Sequence, residues 1–334
     1  MRAVSLQRPG HAEVIDLQEP VRRPEELLLR IERVGLCGTD LNSFCGRNPL
    51  VTFPRIIGHE IAATVIEGSA KVPAGTRVTV SPYTNCGVCA SCLSGRFNAC
   101  KDNQTFGVQR DGAMTERISV PEDKVYPSPL SIKELCIVEP LTVGVHAVSR
   151  GRVKSEDRVA VFGCGGVGLG AVAGAAFRGA RVIAIDVDEA KLNVARSAGA
   201  TDLIHSRNED IHARLQEMTD GHGPSVAIEA IGLPETFVAA VEEVAFTGRV
   251  VYIGYAKQPV AYDTKLFIQK ELDIMGSRNA LPADFHEVIA MLESGRFPVD
   301  DAVSNEVSMQ EVPAILERWS ESPADFRKIL VHVR

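Results

Sequence analysis

The sequence predicts an α/β chain in which an irregular, largely β module precedes a doubly wound parallel sheet. Two observations carry this. From Asp157 onward, short apolar runs suited to strands alternate with segments of helical period, the pattern of parallel strands joined by helical crossovers. Before that, from Ala3 to about Val125, strand-like segments are short and broken by Gly and Pro, as in sheets with irregular connections. The 334 residues exceed one ordinary core and suit two domains, or one domain interrupted by another.

In chain order, Leu27-Leu-Leu-Arg-Ile-Glu-Arg-Val34 and Arg77-Val-Thr-Val80 read as strands of the first module. In the second, strands are expected at Val159–Phe162, Val182–Ile185, Leu203–His205, Val226–Ala230, Val250–Ile253 and Leu272–Met275. Helices are expected at Glu189–Ala198, stopped by Gly199, and at Pro234–Ala245, closing before Gly248; each has a glycine where a left-handed cap is wanted. The tail, Pro282 to Arg334, carries two further helical patterns and a final strand, Ile329-Leu-Val-His-Val333, and is expected to rejoin the first module.

A net charge of −7 with acids and bases interspersed offers no basic stripe to phosphate backbones or an anionic bilayer. Nucleic acid and membrane partners are therefore disfavoured. The first residues lack the apolar core of a signal peptide, and the most apolar stretch, Val167 to Phe177, is too short to span a bilayer. A cytoplasmic protein is expected. Four of the eight cysteines crowd into Cys86, Cys89, Cys92 and Cys100, and in a reducing cytosol such thiolates bind metal rather than pair.

The motif Gly163-Cys-Gly-Gly-Val-Gly168 follows the strand ending at Phe162 and opens an apolar helix. In that context Gly163 permits the tight turn, Gly165 lets the backbone approach a pyrophosphate, and Gly168 allows helix and strand to pack closely. The N–H groups of Gly166 and Val167 at the helix start hold the phosphates. Asp186, about 20 residues on, is placed to accept the adenosine ribose hydroxyls, with no arginine beside it for a 2′-phosphate, so NAD is expected rather than NADP.

Cys86-x2-Cys89-x2-Cys92-x7-Cys100 can close a tetrahedral shell around zinc, and a site filled by four protein ligands is structural. An iron–sulfur cluster uses a similar run, although the fourth spacing differs and no proline follows Cys100. Three further segments are candidates for catalysis: Cys37-Gly-Thr-Asp40, Gly58-His-Glu60 and Val138-Glu-Pro-Leu141. Singly, each has an ordinary reading: a buried small hydrophobe, a satisfied histidine, an acid at a helix start.

Together and in order, these segments resemble the medium-chain zinc dehydrogenases, the superfamily of alcohol, sorbitol and threonine dehydrogenases, along essentially the whole chain. The resemblance implies a chaperonin-10-like catalytic domain (1–140), a Rossmann domain (141–276), and a return to the catalytic domain (277–334), with the active site in the cleft between them. It implies two zinc ions per subunit. Cys37, His59 and Glu60 match the positions that hold catalytic zinc in the sorbitol-type branch. Glu139 stands where classical alcohol dehydrogenases have a second cysteine, and either ligates zinc directly or holds its water. Thr39 matches the hydroxyl that takes the substrate proton. Many relatives carry a histidine three residues further on, where this chain has Asn42; an amide does not titrate, so the proton is expected to leave through water or Glu60. A homotetramer or dimer is also implied.

Gly107-Val-Gln-Arg-Asp-Gly112 and Gly276-Ser-Arg-Asn-Ala280 are similar to bacterial sugar-acid dehydrogenases that oxidise L-galactonate or L-gulonate at carbon 5. The expected substrate is a small polyhydroxylated acid. Arg278 and Asn279, with Arg47 and Asn48, are candidates to contact it, since a guanidinium forks onto a carboxylate; the alternatives are a solvated loop charge for Arg47 and a protein or cofactor partner for Arg278. Polyol or threonine-type activity is the alternative within enzymes, and a nucleotide-binding relative without turnover the alternative outside them. Cys45, Cys136 and Cys164 read as buried or incidental, and Phe44 and Phe53 as pocket wall or core.

Overall fold

The computed structural model describes residues Met1–Val333, and they form two compact units, Met1–Glu139 with Val299–Arg334, and Pro140–Pro298.

In the first unit a long strand, Glu26–Leu36, is the axis. The seven-stranded sheet runs in the order Asn305–Ser308, Ile329–His332, Glu26–Leu36, Glu60–Glu67, Arg77–Val80 and Val125–Pro127, with Arg117–Pro121 also paired to Glu26–Leu36. Alternation along the axial strand buries Leu27, Leu29 and Ile31 on one face, the period-2 pattern of a half-covered sheet. These residues join Leu6, Ile57, Ile61, Met114 and Trp319 in one core. The tail strand Ile329–His332 pairs antiparallel with the axial strand, setting Ile329 opposite Leu36. That register brings the neighbouring Lys328 close to Cys37.

The second unit holds a six-stranded parallel sheet in the order Asp202–His205, Arg181–Asp186, Arg158–Phe162, Val226–Glu229, Arg249–Tyr252, Asp273–Gly276. Each strand lies within one residue of its expected position. The chain starts in the middle of the sheet, winds outward one way and then returns to wind the other, so the order reverses between Arg158–Phe162 and Val226–Glu229.

Two expectations are corrected. The second unit extends to Pro298, beyond the expected boundary at residue 276, because the helix Pro282–Glu293 packs there. Asp284 of this helix bonds His146 Nδ1 (2.8 Å), and Glu287 takes the Arg178 guanidinium in a fork (2.7 Å to each oxygen). Glu139 is no helix-start acid either. It lies inside the helix Ile132–Arg150, which continues through Pro140; proline there removes one backbone donor, and the two units divide at this peptide. No helix among the described residues is long and apolar enough to cross a membrane.

Candidate functional site

In the first unit, three turns deliver donor atoms to one buried place. Cys37 caps the helix Gly38–Phe44: its Sγ accepts the Thr39 N–H (3.2 Å), while the Asp40 carboxylate accepts the Cys37 N–H (2.9 Å). This is a capping box with a thiol in the place of the usual hydroxyl. Gly58, at φ +97°, turns the chain into the strand Glu60–Glu67, and a Cβ there would meet Val34 Cγ1 at 2.7 Å. His59 follows, buried, with Asp40 Oδ1 3.7 Å from its Nδ1, an atom that is buried without a hydrogen-bond partner. Gly35 lies opposite Glu60, where any Cβ would strike the carboxylate at 1.9 Å.

Glu139 completes the set. It is 3% exposed, and the Tyr83 hydroxyl donates to its Oε1. Burial pushes its carboxyl up to about 7, against the pull of His59. Burial and the Glu139 charge likewise push Tyr83 well above its ordinary range, so it serves as a donor. Burial also raises Asp40. For His59 burial works against the charged form, but Asp40, Cys37 and Glu139 together carry it well above its usual value. Ligand atoms of Cys37, Asp40 and His59 lie within 4.8 Å of one another, and so do those of His59, Glu60 and Glu139. His59 is common to both groups and one of its nitrogens is orphaned; sulfur, imidazole and carboxylate donors of this kind suit zinc.

Glu60 has a partner that sequence reasoning did not find. Lys328 Nζ donates to both carboxylate oxygens (2.6 and 2.7 Å) and to the Leu36 carbonyl (3.3 Å). Lysine and glutamate are 8% and 1% exposed. Burial opposes the ammonium charge, but Glu60 and Cys37 outweigh it and hold Lys328 above its ordinary value. The expected proton route through Glu60 is thus met by a carboxylate already engaged on both oxygens.

A second group lies in the lobe around residues 86–100. The four sulfurs of Cys86, Cys89, Cys92 and Cys100 lie within 4.8 Å of one another, with Cys89 and Cys100 at 3.9 Å. Zinc–sulfur bonds of 2.3 Å in a tetrahedron require about 3.8 Å between sulfurs, so the spacing fits a single ion better than a multi-iron cluster. All eight cysteines are free thiols. The lobe's own buried cluster consists of these cysteines, while Val88, Leu93 and Phe97 are exposed; a metal would replace the missing apolar core.

In the second unit, Gly163 (φ +94°) turns the chain out of the strand Arg158–Phe162, and Gly165 caps the helix Gly166–Phe177. A Cβ on Gly168 would lie 1.8 Å from the Gly163 carbonyl, whereas one on Gly165 would meet nothing. The first glycine is thus required by packing, and the second leaves room for a ligand over the helix N-terminus. Asp186 ends the adjacent strand, and its two oxygens accept the N–H groups of Cys164 (2.7 Å) and Asp188 (3.0 Å).

Thr39 is half-buried beside Cys37, and Ser43 Oγ donates to its carbonyl (2.7 Å). Arg47 is exposed, and the Asn48 amide braces its own loop through Ser43 Oγ and the Leu50 N–H. Arg278 is exposed and Asn279 half-buried in the second unit, after the strand Asp273–Gly276. Phe44 is core and Phe53 packs against it. Cys136 and Cys164 are buried.

The segment 23–130 matches the model of the alcohol dehydrogenase GroES-like domain, and 166–294 that of zinc-binding dehydrogenases. An uncharacterised zinc-type alcohol dehydrogenase-like protein of Haemophilus influenzae is 34% identical over 98% of both chains. L-galactonate-5-dehydrogenase of Escherichia coli is 30% identical over 95% of both. Sorbitol dehydrogenase of Bacillus subtilis is 30% identical over 99% of this chain and 97% of its own. Among solved structures, a zinc-binding dehydrogenase of Sinorhizobium meliloti bound to NADP superposes with a TM-score of 0.92 (28% identical, 99% and 98% covered). An E. coli alcohol dehydrogenase complexed with NADH gives 0.91 (25% identical, 99% of both).

Proposed function

From the premise that this chain belongs to the zinc-type alcohol dehydrogenase family, we propose that it oxidises a secondary hydroxyl of a sugar acid, such as L-galactonate or L-gulonate, to a ketone with NAD. The observation that carries the reading is that buried His59 is shared by two groups of donor atoms, one containing half-buried Cys37 and the other buried Glu139. These three would hold the catalytic zinc. Glu60 stands beside them, tied to Lys328. The four lobe cysteines would hold a structural zinc. Gly163, Gly165, Gly166, Val167 and Gly168 would carry the pyrophosphate of NAD, and Asp186 its ribose.

When bound, zinc supplies Lewis acidity to the substrate hydroxyl and NAD supplies the hydride acceptor. The chain's own groups prepare that chemistry. Tyr83 fixes the direction of the Glu139 carboxylate and Asp40 holds the Cys37 N–H, the outer contacts that keep a ligand set in place. Lys328 offsets the Glu60 charge, leaving the site less anionic than its three carboxylates would make it. Thr39 takes the substrate proton at Oγ1; being half-buried, it can pass the proton to solvent without a histidine at Asn42.

Support for an acid substrate comes from the likeness to L-galactonate-5-dehydrogenase. The equal identity to sorbitol dehydrogenase makes a polyol the second reading. The test follows NADH formation with zinc-loaded protein on L-galactonate, L-gulonate and the corresponding hexitols. A hexonate favoured by more than about tenfold in kcat/KM, or about 1.4 kcal/mol, supports the proposal; a hexitol favoured by the same margin replaces it.

A further inference from the structure

The second unit buries a carboxylate that the reading above leaves unused. Glu229 ends the strand Val226–Glu229 and is fully buried. Its Oε1 accepts three hydrogen bonds, from Ile231 N–H (2.8 Å), Gly232 N–H (2.7 Å) and Thr236 Oγ1 (2.7 Å). Its Oε2 is buried with no hydrogen-bond partner. A buried acid usually has a cation opposite or donors on both oxygens. Glu229 has three neutral donors on one oxygen.

Its place in the sheet is specific. Glu229 pairs with Phe162 on one side, the residue before Gly163, and with Tyr252 on the other. It therefore stands where the strand order reverses, and dinucleotides bind at that point, outside the carboxyl ends of the strands. Asp186 lies on the far side of Arg158–Phe162, so the adenosine half belongs there and the nicotinamide half belongs over the strands beginning with Val226–Glu229. The turn that Glu229 holds reaches the phosphate loop: a Cβ on Gly163 would meet Ile231 Cγ1 at 2.6 Å. A Cβ on Gly254, in the next loop, would strike Glu229 Oε2 at 2.4 Å. One carboxylate thus sits beneath the loops on which a nicotinamide ribose would rest.

We propose that Glu229 biases the redox equilibrium of the bound cofactor, its buried negative charge favouring the cationic oxidised nicotinamide over the neutral reduced ring. Hydride transfer to the ring removes that positive charge, so the bias pulls the on-enzyme equilibrium toward the alcohol and the oxidised cofactor. The inference rests on dinucleotide binding by this unit. It does not depend on the identity of the substrate.

The test uses zinc-loaded full-length protein and compares Kd for NAD+, by calorimetry, with Kd for NADH, by its own fluorescence. Glu229→Gln keeps the Oε1 acceptor for its three donors and removes the charge. It should weaken NAD+ binding at least about threefold more than NADH binding, a modest share of a Coulomb interaction in a partly polar site. Thr236→Val removes one donor that favours the charged form of the buried carboxylate, so it should shift the ratio in the same direction by a smaller amount; an unchanged ratio in this arm overturns the proposal if the glutamine variant does not fold. Equal changes in both Kd values would make Glu229 a purely structural brace and overturn the proposal. Wild-type protein that binds neither form would overturn the dinucleotide reading, and the proposal with it.

Discussion

Lys328→Met isolates one buried charge. In the wild type, Lys328 Nζ lies 2.6 and 2.7 Å from the two Glu60 oxygens, with the lysine side chain 10% exposed and the glutamate side chain 1%. Methionine matches lysine in length and supplies no charge, so Glu60 would remain buried and uncompensated while the Leu36 carbonyl lost its donor. Breaking such a pair from one side costs about 3–5 kcal/mol. The chain has one tryptophan, Trp319, in the core of the same unit, so its fluorescence reports unfolding where the pair resides. With a urea slope of about 2 kcal/mol per M, the midpoint should fall by about 2 M. Glu60→Gln in the Lys328→Met background should recover most of that loss, because the stranded charge is gone. A single variant losing less than about 1 kcal/mol, or a double variant as unstable as the single, would refute the argument that burial of unpaired charge sets the cost.

Zinc binding should be pH-linked through Glu139. Its carboxyl is pushed up to about 7, so below that pH a proton must leave before the group can act as a ligand, which adds up to about tenfold per pH unit to the rise in affinity that the raised His59 already imposes. Competition with a chromophoric chelator from pH 5.5 to 8.5 should give a steeper rise below pH 7 for the wild type than for Glu139→Gln, and equal slopes count against Glu139 as a ligand. Cys100→Ser should release the lobe: limited proteolysis should cut within residues 86–100, where Val88 and Leu93 are already exposed, while NADH binding persists. Loss of both properties together would mean that the lobe supports more than itself. Arg278→Ala should raise KM for a hexonate at least about tenfold more than for the matching hexitol if its guanidinium meets the carboxylate; equal effects remove it from the substrate site.

What the sequence made legible follows from the range over which its signals act. Strands of the second unit were placed within a residue because apolar runs, bounding glycines and helical periods are local, and the loop from Gly163 to Gly168 states its geometry in consecutive residues. The four lobe cysteines are equally local. Lys328 could not be found in that way: it lies 268 positions from Glu60, and the antiparallel pairing of Ile329 with Leu36 alone brings it there. The signal available was a lysine set against the apolar run Ile329-Leu-Val, which a strand at the sheet centre would not tolerate without an acid partner. Tyr83 follows the same logic, reaching Glu139 from a separate turn. Asp40 was in plain view in the run Cys37–Asp40, where its bond to the Cys37 N–H is local, but its approach to His59 depends on a turn at Gly58 that spacing does not reveal. The helix Pro282–Glu293 shows a different failure. Its apolar face was evident, yet apolar faces carry no address, and polar bonds from Asp284 and Glu287 to His146 and Arg178 assign it to the second unit. Buried polar pairs thus decide what hydrophobic periodicity leaves degenerate. Each costs desolvation wherever it is misplaced, so in this chain the charged residues inside the core specify the assembly of elements that the apolar residues stabilise.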